Sequence, residues 1–117
     1  MPETAHPALE IDGWMRIELD DDVLAHVALV VFSKLRRNEP LLVSWTDPEG
    51  SAMQAWVHPN STIVARHTPG VESSIDRVRA ERMMVAANST PGLRLARFAP
   101  DDRAGAIPAA QPMAPAA

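Results

Sequence analysis

Four histidines are the side chains in this sequence best suited to acid–base or metal chemistry. His58 and His67 flank a predicted turn and would approach each other across a hairpin, but no carboxylate lies between them. A two-histidine metal site there is therefore less favoured than two satisfied or exposed histidines. His26 has a valine four residues later, where a second ligand on the same helix would lie, and His6 precedes the predicted fold. We predict no metal site, no catalytic residue and no cofactor.

A run of three carboxylates, Asp20 to Asp22, is the second group that invites a chemical interpretation. The run stands before an apolar pattern with helical spacing, where an aspartate caps free backbone N–H groups and negative charge opposes the helix dipole. We interpret it as a cap with solvated charge. The sequence holds no G-x-S-x-G motif, no glycine-rich phosphate loop and no H-E-x-x-H motif. An enzyme that uses His58 with neighbouring carboxylates is accordingly the least favoured function.

A turn signal between two apolar runs predicts a hairpin and determines which side chains face outward. Residues 47–50, Asp-Pro-Glu-Gly, suit a three-residue loop whose glycine takes the left-handed conformation, so that Asp47 lies opposite Ser51. The pairs on one face are then all apolar: Trp45 with Met53, Val43 with Ala55, and Leu41 with Val57. This face is predicted to be the core side, because a slip of one residue would mix polar and apolar side chains.

The opposite face is the predicted binding site, because two tryptophans, an arginine and several hydrogen-bonding groups are placed on it. Its predicted members are Trp14, Arg16, Leu42, Ser44, Gln54, Trp56 and His58. Such a face is typical of a stacking platform for single-stranded nucleic acid. A contact with a protein partner, a homodimer interface and a cover formed by residues 1–13 are the alternatives, since exposed tryptophan suggests that something covers it.

Basic side chains at the end of the first predicted helix form a candidate anion- or phosphate-binding cluster: Lys34, Arg36 and Arg37. Favourable charge at a helix C-terminus is the stronger interpretation of this cluster. Arg82 interrupts the apolar stripe predicted for the second helix, so it either extends its charged end to solvent or pairs with a buried carboxylate. That stripe comprises Val71, Ile75, Val78 and Val85.

The elements that must position these side chains follow the predicted order β-α-β-β-β-α-β. Strands are expected at 14–19, 41–46, 52–58, 62–67 and 93–98, and helices at 20–37 and 71–87. Three consecutive strands in a meander imply an α+β fold with a mixed, mainly antiparallel sheet and two helices on one face. One domain spans residues 14–98, between a flexible N-terminal arm (1–13) and a disordered tail rich in alanine and proline (99–117).

Charge and composition narrow the function classes. Residues 14–98 hold ten basic and ten acidic groups, so the predicted domain is neutral and lacks the broad basic field of a strong nonspecific DNA binder. The absence of cysteine excludes disulfides and thiolate sites, and the longest apolar run, residues 27–32, is far too short to span a bilayer. No secretory signal is visible at the N-terminus. We expect a soluble cytoplasmic protein with no membrane partner.

Several short motifs together resemble a family of short, uncharacterised actinobacterial proteins that are often labelled ATP-dependent DNA ligases. The motifs are Leu24-Ala25-His26, Lys34 to Glu39 (KLRRNE), Ser44-Trp45, Trp56-Val57-His58-Pro59, and Ala87-Asn88-Ser89 with Gly92. The resemblance covers about residues 16–96, whereas residues 2–13 depart from the short strand with glycine and tyrosine that usually opens the family. The label implies a role in DNA ligation or repair.

The enzymatic part of that label does not transfer to this chain. Such a ligase needs a lysine nucleophile in a K-x-D-G setting, and Lys34, the only lysine, is followed by Leu-Arg-Arg. We therefore predict a non-catalytic domain that binds a protein or nucleic-acid partner through the tryptophan-bearing face and the Lys34–Arg37 end. The neutral domain slightly favours a protein partner. An accessory factor in DNA ligation or repair is the first alternative, and a homodimeric structural domain is the second.

Overall fold

The computed structural model describes residues 6–95 of the chain, and this range contains two helices and six strands. The elements are β1 (Ala8–Ile11), β2 (Met15–Glu18), α1 (Asp21–Arg36), β3 (Leu41–Thr46), β4 (Ala52–Val57), β5 (Ile63–Arg66), α2 (Arg77–Ala87) and β6 (Leu93–Arg94). Neither helix in this range is long and apolar enough to cross a membrane. The tail predicted over residues 99–117 lies outside the described residues.

The strands form two three-stranded sheets. The first sheet has the order β2-β1-β5 and is antiparallel throughout, whereas the second has the order β4-β3-β6, with β3 antiparallel to β4 and parallel to β6. The predicted α+β class and mainly antiparallel pairing are confirmed. The predicted meander is wrong, because β5 pairs with β1 and not with β4. This pairing sets Ile63 and Ala65 beside Ile11 and Leu9, so the apolar side of β5 packs against the core.

The N-terminal strand β1 overturns part of the prediction that residues 1–13 form a flexible arm, because residues 8–11 form a strand, whereas residues 1–5 lie outside the described residues. β1 is the central strand of the first sheet, and Leu9 and Ile11 are fully buried. Asp12 (φ 56°) and Gly13 (φ 81°) both have the positive φ that a type I′ hairpin turn requires. The Asp-Gly pair between two alternating runs was therefore a local signal for this hairpin. Asp12 also joins the turn to β5, since its N–H donates to the Thr62 carbonyl and its carboxylate accepts from the Thr62 N–H.

The β3–β4 hairpin has the predicted register at every pair, from Thr46 opposite Ala52 to Leu41 opposite Val57. Gly50 has φ 89°, and its N–H donates to the Asp47 carbonyl oxygen at 2.9 Å. The Asp47 carboxylate adds bonds from the N–H groups of Glu49 and Ser51, at 3.0 and 2.8 Å. Local turn chemistry and side-chain alternation agree here, which is why the register was predictable.

One face of helix α1 packs into the core, and another side contacts α2. The two helices run in the same direction. Leu24, Val27 and Val31 are fully buried. Near the start of the pair Asp22 bonds Arg79, and near its end Lys34 bonds Asn88. Asp20 is the N-cap residue by its extended backbone but forms no side-chain cap bond. The predicted aspartate cap bond is therefore absent, and the acidic run bonds other segments instead: Asp21 accepts a hydrogen bond from the Thr68 N–H, and Asp22 accepts one from Arg79.

Helix α2 begins at Arg77, later than predicted, and turns its apolar stripe outward. Asp76 caps it by accepting hydrogen bonds from the N–H groups of Val78 and Arg79. All four predicted stripe residues are exposed: Val71, Ile75, Val78 and Val85. The inward side instead carries Arg79, Ala87 and two half-buried methionines. Arg82 is also exposed, so it does not interrupt a buried stripe.

Gly92 allows the chain after α2 to join the second sheet. A Cβ atom there would meet the Leu42 carbonyl oxygen and lie 2.8 Å from Leu42 Cβ, and φ is +77°. Only glycine satisfies both conditions without strain. β6 can therefore lie parallel to β3, with Leu93 opposite Val43 in the core and Arg94 opposite Ser44 on the outside.

Candidate functional site

The outward side of the second sheet is the candidate binding site, which we call the Trp56 face. It comprises Leu42, Ser44, Gln54, Trp56 and Arg94, with His58 following at the end of β4. Trp56 lies opposite Leu42, while Gln54, Ser44 and Arg94 form a second row across the three strands. The inward side of the same strands is buried, so the alternation along β3 and β4 determines this division.

Trp56 is the most exposed large apolar side chain on this face, with 57% of its surface accessible. The His58 ring stands edge-on to the indole, with ring centroids 6.4 Å apart and planes at 81°. Leu42, opposite Trp56 on β3, is half-buried. Together these three side chains provide an apolar and aromatic surface, which Gln54 and Ser44 border with hydrogen-bonding groups.

The Trp56 face carries little charge. Arg94 is its one ionic side chain besides the titratable His58, and no carboxylate belongs to the face as defined. The face therefore consists of an uncharged aromatic surface with one guanidinium at its border. Such a surface recognises an apolar or aromatic group and adds one charged contact.

Trp14 and Arg16, which were predicted to share this face, belong to the first sheet. Trp14 is 75% exposed at the tip of the β1–β2 hairpin, and Arg16 lies on β2. The Arg16 guanidinium is engaged: Nη1 donates to Glu10 Oε2 at 2.7 Å, and Nη2 donates to the His6 carbonyl at 2.6 Å. A single sheet would have placed Trp14 and Arg16 on the same surface as Trp56. Because the protein has two sheets, these residues lie on two separate surfaces.

An ionic cluster lies on the outward side of the first sheet, where Val64, opposite Glu10, is also exposed. Glu10, on the central strand, lies between Arg16 on β2 and Arg66 on β5, which reaches it at 3.2 and 3.3 Å. The hydrogen bonds from Arg66, supported by the charges of Arg66 and Arg16, hold the pKa of the Glu10 carboxyl below its usual value. Glu10 in turn raises the pKa of Arg66. Opposite charges thus satisfy each other across this face.

The basic end of α1 is largely bonded within the protein. Lys34 is only 6% exposed, and its Nζ lies 2.6 Å from Asn88 Oδ1 and 3.1 Å from Glu39 Oε1. Arg37 also reaches Glu39, at 3.3 Å. The hydrogen bond from Lys34, together with Arg37, lowers the pKa of the Glu39 carboxyl. Only Arg36 of the predicted cluster is exposed without a bond to another described residue, so the three cations do not form an open anion-binding patch.

The histidines do not converge on a metal or catalytic site in the described range. His26 is buried and joins the helices, because its Nε2 accepts a bond from the Asp76 N–H while Nδ1 donates to the Asp22 carbonyl, both at 2.8 Å. His58 and His67 follow β4 and β5, which lie in different sheets, so the hairpin expected to bring them together is absent. Within residues 6–95 no group of three or more potential ligands is placed to hold a metal ion.

The fold and this site define an α+β domain with one ion-paired sheet face and one open aromatic face. A family model, Domain of unknown function (DUF7882), matches residues 9–98, and the chain belongs to this family. The predicted resemblance to an uncharacterised family is confirmed, and the match begins inside β1, in the segment predicted to be an arm. No curated protein and no solved structure matches the chain.

Proposed function

We propose that this domain is a non-catalytic binding module that takes a protein partner on the Trp56 face. The observation that carries the proposal is the exposure of Trp56 on an open sheet face, beside His58 and opposite Leu42. Covering an exposed indole removes apolar surface from water, which is favourable. Tryptophans buried at an interface are among the strongest contributors to protein–protein binding. The proposal places this module in the cytoplasm, in keeping with a chain that lacks cysteine.

The charge distribution supports a protein partner over single-stranded nucleic acid. Nucleic-acid affinity depends on several cations that contact phosphates. On the Trp56 face only Arg94 is available for that role, since Arg16 and Lys34 are bonded to carboxylates of the same domain. Nucleic acid is the competing partner, with Trp56 and His58 stacking on bases and Arg94 on a phosphate. A role in DNA ligation or repair, which the resemblance implies, would require this second partner.

Affinity capture with matched tryptophan variants tests the proposal. The full chain, Trp56→Ser and Trp14→Ser are immobilised and exposed to extract from the source organism, and retained proteins are identified by mass spectrometry. Both tryptophans are exposed, so neither substitution should alter the stability of the fold. We expect one specific protein to be retained by the wild type and by Trp14→Ser. Trp56→Ser should weaken its binding at least about 30-fold, measured by calorimetry with the purified partner.

A fluorescent single-stranded DNA titration at two salt concentrations completes the test. Absence of binding at low salt agrees with a protein partner. Salt-dependent binding that Trp56→Ser removes would replace the protein partner with nucleic acid. Equal capture by all three baits, or capture by none, would contradict the role of the Trp56 face.

A further inference from the structure

Strand β4 differs from the other three outer strands of the two sheets. β2 and β5 are four residues long and carry Arg16 and Arg66, and β6 comprises two of the described residues. β4 has six residues with no charge and no proline, and among the described residues no strand pairs with its second edge. Edge strands are usually shortened or charged, because an open edge is a template for another strand.

The backbone of β4 presents alternate residues to this open edge. The Asp47 N–H donates to the Ser51 carbonyl, so this pair is hydrogen-bonded. Bonded pairs alternate along an antiparallel ladder, so Met53, Ala55 and Val57 are the residues of β4 whose backbone groups bond to β3. The N–H and C=O groups of the residues between them point away from β3. These residues are Ala52, Gln54 and Trp56, and all three are exposed.

We propose that β4 pairs antiparallel with β4 of a second copy of this chain, about a two-fold axis at Gln54. The strand is self-complementary in this register. Trp56 lies opposite Ala52 of the second copy on the outer side, and Met53 lies opposite Ala55 on the inner side, so each large side chain meets a small one. The two Gln54 side chains meet at the axis, where their amides bond each other.

The product is one six-stranded sheet with the strand order β6-β3-β4-β4-β3-β6. About six backbone hydrogen bonds join the copies, two for each of the three bonded pairs. Half-buried Met53 gains a neighbour, and the two Trp56 faces become one continuous surface. No like charges meet, because β4 carries none. This pairing uses the edge of β4 and does not depend on the identity of any partner on the face.

Charge substitution at the axis tests the pairing in the full chain by sedimentation velocity over a wide concentration range. The wild type should form dimers. Gln54→Lys and Gln54→Glu should each weaken dimerisation about tenfold or more, because like charges then lie directly opposite each other. An equimolar mixture of the two variants should restore dimers. Thr46→Lys and Thr46→Glu, exposed on the same side but on the central strand β3, should dimerise as the wild type does.

A single-cysteine variant tests the register directly, because the chain has no cysteine of its own. Gln54→Cys should form a disulfide-linked dimer on mild oxidation, since Cα atoms of a bonded antiparallel pair lie about 5.5 Å apart. Thr46→Cys should not. A wild type that stays monomeric at the highest concentration, a mixture of charge variants that fails to restore dimers, or equal cross-linking of both cysteine variants would overturn the proposal.

Discussion

The outward faces of the two sheets have similar backbone structures but differ in the chemistry of their side chains. Each belongs to a three-stranded sheet whose other side is buried in the core. On the first sheet Glu10 lies between Arg16 and Arg66, so the charges satisfy each other. On the second sheet Trp56 is exposed, with the His58 ring beside it and Leu42 opposite it on β3. Polar groups that already bond each other contribute little to binding a partner. Covering an exposed indole, in contrast, removes apolar surface from water and so favours binding.

The end of α1 resembles the first sheet in this respect. Lys34 and Arg37 both contact Glu39, and Lys34 also contacts Asn88 on the next helix. The charges of this domain are thus used mainly for internal contacts. Substitutions in these regions should therefore differ in their effect on the free energy of unfolding.

The largest expected effect concerns the pairing that builds the second sheet. Gly92→Ala should lower the free energy of unfolding by about 3 kcal/mol, since the new methyl group meets the Leu42 backbone and the positive φ is unfavourable for alanine. Gly70→Ala is a matched control, because Gly70 has nearly the same φ but nothing within 4 Å of the Cβ position. Gly70→Ala should lower the free energy of unfolding by only about 1 kcal/mol. Urea denaturation of both variants measures the difference, and equal losses would contradict the close approach.

A smaller effect separates the cations at the end of α1. Lys34→Ala should lower the free energy of unfolding by about 2 kcal/mol, because Asn88 and Glu39 lose a buried charged donor. Arg36→Ala should change it by less than about 0.5 kcal/mol, since Arg36 is exposed. Thermal or urea unfolding compares the two. A stable Lys34→Ala protein that has lost affinity for phosphate-bearing ligands would instead support the anion-binding interpretation.

The smallest effect is expected on the outward face of the first sheet. Glu10→Gln should lower the free energy of unfolding at neutral pH by about 1 kcal/mol, because solvent screens the ion pairs with Arg16 and Arg66. Folding lowers the pKa of Glu10 from the ordinary 4.5, so its contribution is complete above that value. The contribution decreases as the pH falls through the lowered pKa of the folded state.

Urea titrations at a series of pH values check this prediction. The difference between the wild type and Glu10→Gln should shrink as the solution becomes acid. Thr46→Ala, at an exposed position on the outward side of β3, should change the free energy of unfolding by less than about 0.5 kcal/mol at every pH. A constant difference between the wild type and Glu10→Gln would mean that the ionised carboxylate of Glu10 does not hold this face together.

Local chemistry decides several parts of this structure, and those parts could be predicted from the amino-acid sequence. The β3–β4 register follows from the Asp47–Gly50 loop and from alternation, and it places Trp56 outward. The N-terminal hairpin carries a local signal, Asp12-Gly13, but the polar, proline-containing segment before it has the composition of a flexible arm. The outward turn of α2 was missed because Val78 and Val85 have helical spacing, which does not show that another element covers them.

The amino-acid sequence was sufficient to predict helix α1, the β3–β4 hairpin, and the outward position of Trp56, Gln54 and Leu42. These features depend on interactions between residues close in the chain. Three other features are visible only in the folded protein: β5 joins β1, Arg16 is separated from Trp56, and Lys34 is buried against Asn88. Such outcomes depend on which apolar strand edges and helix sides meet, and contacts between distant segments do not follow from local patterns.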